Sequence, residues 1–154
     1  MKQLHIITPV KDSIRVDLQN IESILSSDFT VPYHYYVYND FSTDENTARL
    51  REASEKMGFE LINLSDLTDH PSPNYLLILQ TAQQKAIAAD AGLLIVESDV
   101  IVKKHTLQSL FDGALTRPDC GIAAAVTVDE QEISIIRIYM PKARKVKSFR
   151  RKSM

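Results

Sequence analysis

Leu93-Leu94-Ile95-Val96-Glu97-Ser98-Asp99-Val100-Ile101-Val102 is the stretch that decides how this chain is read. Four apolar residues run into two carboxylates one residue apart, and apolar residues resume at once. A continuous apolar run of this kind predicts a strand buried on both faces, as in a parallel sheet. Glu97 and Asp99 fall where that strand should end, and residues two apart on an extended chain point the same way. Two carboxylates on one side of a strand end suit a hard cation such as Mg²⁺ or Mn²⁺. Open α/β sheets bind ligands at that edge. Taken by itself, the stretch also reads as a strand that simply ends in water, so the flanking chain has to decide.

Working outward, strands alternate with helices. The run from Gly121 to Val128 predicts a fifth strand, and Thr106 to Ala114 a short helix with Leu107, Leu110 and Phe111 inward. Upstream, Tyr75, Ile78, Leu79, Ala82, Ala86 and Ala89 mark a long helix that Gly92 ends. Residues 65–73 form a polar loop, and 59–64 a third strand. Ser42-Thr43-Asp44-Glu45 fits a capping box, with Ser42 as N-cap and Glu45 three residues on. That helix runs to Met57, with Gly58 just past its end. Val31 to Tyr38 is the second strand and Leu4 to Val10 the first, with Pro9 near its terminus because it lacks a ladder donor. Between them Ile14, Leu18, Ile21 and Leu25 recur at helical spacing. The order is βαβαβ, loop, αβαβ, which predicts a three-layer α/β/α arrangement around a mostly parallel sheet.

Composition allows one domain with a real core. The chain has 154 residues, 44% hydrophobic and 25% charged, ordinary for a soluble globular protein. No apolar run approaches the roughly 20 residues of a membrane helix, and the N-terminus lacks a signal-peptide core, so the expected location is cytoplasmic. Cys120 is the single cysteine, which excludes an internal disulfide and predicts a buried thiol. Charge is lopsided: before Arg137 there are 10 basic against 20 acidic residues, and Lys142 to Lys152 holds seven basic and no acidic ones. An acidic body with a basic tail is not the usual nucleic-acid-binding domain. The tail offers a contact to a partner or an anionic membrane surface.

Polar residues end three of the strands. The first offers Thr8, Pro9 and Val10, the second Asn39 and Asp40 with Ser42 and Asp44 at the helix start, the fourth Glu97, Ser98 and Asp99. Parallel strands bring these ends to one edge, and a helix start at Ser42 adds free N–H groups there. Such an edge suits a nucleotide with a metal on its diphosphate. No Gly-rich fingerprint follows the first strand, which argues against NAD enzymes and P-loop NTPases. The four histidines lack metal-ligand spacing. Tyr38 stands close enough to the edge to touch a base; Lys85 and Lys103-Lys104 read as solvated.

The order Ile7-Thr8-Pro9-Val10, then Val37 to Asp44, then Val96-Glu97-Ser98-Asp99 resembles the N-terminal half of family 2 glycosyltransferases, over roughly residues 3–130. Those enzymes have the GT-A (nucleotide-diphospho-sugar transferase) fold and use nucleotide-activated sugars. Their second strand ends in a Val-Asp-Asp-Gly-Ser-x-Asp pattern whose carboxylates contact the nucleoside. Their fourth ends in an Asp-x-Asp that holds metal and sugar diphosphate. The resemblance implies a nucleotide-diphosphate sugar bound by Thr8, Pro9, Val10, Asn39, Asp40, Ser42, Glu97 and Ser98. It implies a divalent cation, Mn²⁺ or Mg²⁺, on Asp99, and transfer with inversion. Asn39 stands where the first carboxylate of the nucleoside pattern is expected, Phe41 replaces its glycine, and Glu97 replaces the first Asp of the metal pattern. The resembled enzymes also need an acceptor-binding segment with a catalytic carboxylate, and no acidic residue follows Glu132. Residues 1–131 are therefore expected to form the nucleotide-sugar-binding domain, and 132–154 a basic tail from a truncated or frameshifted end. Codons chosen for Glu132 to Tyr139 read Asn-Ile-Asn-Tyr-Pro-Tyr after a one-base shift, so the coding DNA tests that expectation. The acceptor and the base are not specified. A sheet edge cut short would favour pairing with another chain.

Two other classes fit less of the pattern. A non-catalytic GT-A-like binding or assembly module keeps the edge without the reaction. A nucleotidyltransferase wants a Gly-rich basic phosphate loop by the first strand, which Thr8 to Asp12 does not provide.

Overall fold

The computed structural model describes residues 3–116 and 120–128. The chain divides into two units, Met1–Ala124 and Ala125–Met154; the first carries the secondary structure below. The tail and its frameshift expectation lie outside the described residues.

The elements are β1 (Leu4–Val10), α1 (Ile14–Leu25), β2 (Tyr33–Asn39), α2 (Asp44–Met57), β3 (Glu60–Asn63), a 3₁₀ turn (Leu64–Asp66), α3 (Tyr75–Ala88), β4 (Gly92–Ile95) and α4 (Thr106–Leu115). Four parallel strands form one sheet in the order β3-β2-β1-β4. Alternation along β1 and β2 sends side chains into two layers. Ile6, Val10, Tyr35 and Val37 pack with Ile14, Ile21 and Ile24 of α1, Leu50 of α2 and Leu107 of α4. On the other face Ile7, Tyr36 and Tyr38 pack with Ile78 and Ala82 of α3. Three layers, α/β/α, result.

Several expectations are corrected. β4 is four residues long and ends at Ile95, so Glu97 to Asp99 lie in a turn beyond the strand. It pairs only with β1 among the described residues and is not buried on both faces: Ile95 is 44% exposed. The expected fifth strand does not form over residues 121–127. Residues 121–126 are exposed, Ile122 at 90%, so no burial compensates for ordering them into a ladder. Cys120 is half-buried rather than buried. Tyr38 is fully enclosed in the α3-side core and does not reach the edge. Lys85 is not merely solvated: it meets Glu60 at 3.5 Å and lies 4.8 Å from the centre of the Tyr36 ring.

Two left-handed residues matter for the edge. Asp12 (φ 52°) and Phe41 (φ 58°) turn the chain sharply after β1 and β2. At the far end of α2, Gly58 (φ 82°) closes the helix, where a side chain would be strained.

Candidate functional site

The C-terminal ends of β1, β2 and β4 meet at one edge. Val10 is level with Asn39, and the β1–β4 ladder extends past Ile95 through the Val96 N–H to the Ile7 carbonyl at 2.9 Å. The polar strand ends named above are brought together in backbone position, but their side chains face different ways.

The loops after β1 and β2 are stitched to each other. The Asp40 N–H donates to the Val10 carbonyl (2.9 Å), the Asp12 N–H to Ser42 Oγ (3.0 Å), and the Thr43 N–H to Asp12 Oδ1 (2.7 Å). Asn46 Nδ2 reaches the same carboxylate at 3.2 Å. The Thr43 N–H, then the Asn46 side chain, hold the Asp12 carboxyl below its usual range. Lys11 Nζ donates to the Asp40 carbonyl at 3.3 Å. The N-cap of α2 is Thr43, whose hydroxyl accepts from the Asn46 N–H, and not Ser42. The Ser42–Glu45 capping box is thus displaced by one residue, because Ser42 is drawn to Asp12. The Thr43 and Asn46 N–H groups at this helix start are engaged by protein oxygens rather than free.

Asn39 and Asp40 are both buried. Asn39 Nδ2 donates to Thr47 Oγ1 (2.9 Å) and Asn63 Oδ1 (3.0 Å), while its Oδ1 accepts from the Ser42 N–H (3.1 Å). The Asp40 carboxylate accepts from Ser72 Oγ (2.7 Å), the Asn74 N–H (2.9 Å) and Asn74 Nδ2 (2.9 Å). Burial pushes the Asp40 carboxyl up, but those donors and the Lys11 charge outweigh it and hold it below the usual value. Both side chains therefore shape loops. Thr8 is fully buried beneath α1, Val10 is in the core, and Pro9 is half-buried.

Across the edge, Asn74 and Tyr75 join β2 to the β4 side. Tyr75 Oη donates to Glu97 Oε1 at 2.5 Å, and that bond to a carboxylate, with burial, pushes the phenol up to about 12. Glu97 and Asp99 are exposed and Ser98 is half-buried. Among the described residues no group of three His, Cys, Asp or Glu side chains forms a metal cage. Asp99 beside a diphosphate does match how Mg²⁺ is commonly held, by one or two carboxylates, substrate phosphates and water. The edge thus fits an oxygen-rich ligand that brings its own phosphates.

Hydrophobic periodicity missed most of the residues that hold this arrangement, Lys11, Asp12, Asp17, Asn20 and Asn74, and placed Tyr75 on α3 without its contact to Glu97. A cavity of about 560 Å³ lined by Tyr33, Tyr35, Phe59 and Glu60 lies at the opposite ends of the strands, away from the polar edge.

No family model and no curated protein matches the chain. Solved structures do. S. aureus TarS 1–349 is similar over 75% of this chain and 33% of its own, with 21% identity and a TM-score of 0.48. The same protein in complex with UDP-GlcNAc gives 21% identity and 0.48 over 75% of this chain and 32% of its own. In complex with UDP it gives 22% and 0.49 over 75% and 33%. This chain spans about a third of the length of those structures. No helix among the described residues is long and apolar enough to cross a membrane.

Proposed function

We propose that the chain is the nucleotide-diphosphate-sugar-binding part of a glycosyltransferase. The observation that carries this reading is the Glu97-Ser98-Asp99 turn, with both carboxylates exposed, at the C-terminal edge of a parallel sheet beside the closed loop after β2. A second observation supports it. Phe41 stands where the resembled nucleoside pattern has glycine, and it adopts a left-handed φ of 58°, the conformation glycine takes most readily.

In this reading Asp99 holds Mn²⁺ or Mg²⁺, and the cation offsets the charge of the leaving diphosphate when bound. Glu97 and Ser98 contact the sugar, the ribose or metal-bound water. The nucleoside lies along Pro9 and the 39–42 loop. Asn39 and Asp40 act there by fixing the backbone that faces the base, with Thr8 and Val10 supporting from beneath. Transfer proceeds with inversion once a base deprotonates the acceptor. No edge residue is assigned that role.

One observation favours a second reading, a donor-binding module that does not turn over. Asp12, Asp40 and Glu97 are each engaged by protein donors, so these three carboxylates hold the edge together rather than stand ready to take a proton from an acceptor.

Calorimetric titration of nucleotide sugars, UDP-GlcNAc first, with and without Mn²⁺ tests the donor site. Metal-dependent binding is expected. Absence of binding across uridine, guanosine, cytidine and thymidine diphosphate sugars would overturn both readings.

A further inference from the structure

The inner face of α1 is not the apolar stripe its sequence suggests. Asp17 and Asn20 are buried with 1% and 0% exposure, and Ser23 follows three residues on. Residues three apart share a helix face, so the three form a polar ladder. Each rung meets a successive piece of the 97–102 segment. Ser98 lies close enough to Asp17 to draw its carboxyl down against the effect of burial, Asn20 Nδ2 donates to the Glu97 carbonyl at 3.0 Å and the Val100 carbonyl at 2.5 Å, and Ser23 Oγ accepts from the Val102 N–H at 3.0 Å.

The Asn20 contact has a particular geometry. Glu97 and Val100 are the first and last residues of a four-residue turn that the Val100 N–H closes onto the Glu97 carbonyl at 3.2 Å. One amide group therefore holds both ends of the turn, and Asp99 is its third residue. The orientation of that amide is itself set: Thr8 Oγ1 donates to Asn20 Oδ1 at 3.4 Å and lies 2.9 Å from Tyr35 Oη. A chain of buried hydrogen bonds thus runs from β2 and β1 through α1 to the turn, bypassing the short edge strand β4.

We propose that Asn20 is a positioning residue for the donor–metal site, holding the turn so that the Asp99 carboxylate faces the ligand edge. This rests on the function proposed above. An unclamped turn keeps its own bond from the Val100 N–H to the Glu97 carbonyl, but Asp99 then samples many directions and binds the cation less tightly.

The test uses the full chain with Mn²⁺ and UDP as probes. Variants are Asn20→Leu, which keeps volume without donors, and Ser23→Ala, a milder change for use if the first fails to fold. Asp99→Ala is the site control. Mn²⁺ affinity in the presence of UDP should fall about tenfold in Asn20→Leu and about threefold in Ser23→Ala, with uridine affinity unchanged. Amide exchange of residues 97–102 should quicken at least tenfold, with β1 and β2 unaffected. A folded Asn20→Leu with Mn²⁺ affinity within twofold of wild type overturns the inference, as does parallel loss of Mn²⁺ and uridine binding, which marks a general structural role. The two levels separate cleanly. Wild-type Mn²⁺ affinity in Asp99→Ala overturns the metal reading itself, whereas loss there with wild-type affinity in Asn20→Leu overturns only the positioning role.

Discussion

Replacing Asp40 by alanine removes an acceptor that gathers three donors, at 2.7, 2.9 and 2.9 Å, from Ser72 and Asn74. Asp40 and Asn74 are each 7% exposed, so the lost bonds are not readily replaced in place. A hydrogen bond to a charged group contributes about 1.5–3 kcal/mol, hence about 4.5–9 kcal/mol for three independent ones. These three share one carboxylate, and the Asn74 donors regain water when the 70–74 loop lifts. The expected loss is therefore smaller, about 2–4 kcal/mol. For a chain of this length that lowers the melting temperature by about 4–16 °C. Asp40→Asn keeps the volume and one acceptor oxygen, and should lose about half as much. The pH dependence has a definite sign. The folded carboxyl titrates below its ordinary value of 3.8, so its contribution is complete above that value. It fades as pH falls through the lower, folded value. Urea denaturation of wild type and variant near pH 7 and near pH 3 reads both effects, provided the m-value is unchanged. A loss at neutral pH under about 0.5 kcal/mol, the range of ordinary surface changes, would refute the stabilising role of the Asp40 hydrogen bonds.

Tyr38→Phe should leave stability unchanged or raise it by about 1 kcal/mol, because the buried Tyr38 hydroxyl has no hydrogen-bond partner among the described residues and removing an unsatisfied group recovers its desolvation cost; thermal melting that drops by several degrees contradicts this. Asp17→Asn should stabilise the fold at neutral pH. Burial pushes the Asp17 carboxyl up against hydrogen bonds from Ser98 and the Ser13 backbone, so the ionised form costs stability as pH rises through the folded value. The gain should vanish below about pH 4, and a gain that persists at acid pH counts against the assignment. Gly58→Ala should cost about 1 kcal/mol, since the surrounding space is open and only the left-handed φ resists; an unchanged urea midpoint would show that the α2 end relaxes.

Periodicity made β1, β2, α3 and the layer order legible, because burial there follows apolar spacing. It failed on α1. Leu18 and Leu25 fit the helical stripe yet are only half-buried, while Asp17, Asn20 and Ile24 point inward. The polar partners of that face lie nearly 80 residues away, and no local pattern encodes them. Asn39 and Asp40 show the same limit from the other side. A polar residue at a strand end looks alike in sequence whether it waits for a ligand or ties a loop, and here both tie loops. The α2 cap was misplaced by one residue for a related reason, since Asp12 reaches across from another loop. The fifth strand had the composition of a strand, but its residues gained no burial, and β propensity reflects packing more than backbone preference.

The central claim is that a divalent cation and a nucleotide diphosphate meet at the 97–99 turn. Mn²⁺ is paramagnetic and broadens the amide resonances nearest to it. Adding substoichiometric Mn²⁺ with UDP to isotope-labelled chain should erase the Glu97, Ser98, Asp99 and Val100 amide signals first, and Asp99→Ala should abolish that localised loss. Broadening spread evenly over exposed carboxylates, or unchanged by Asp99→Ala, would contradict the account.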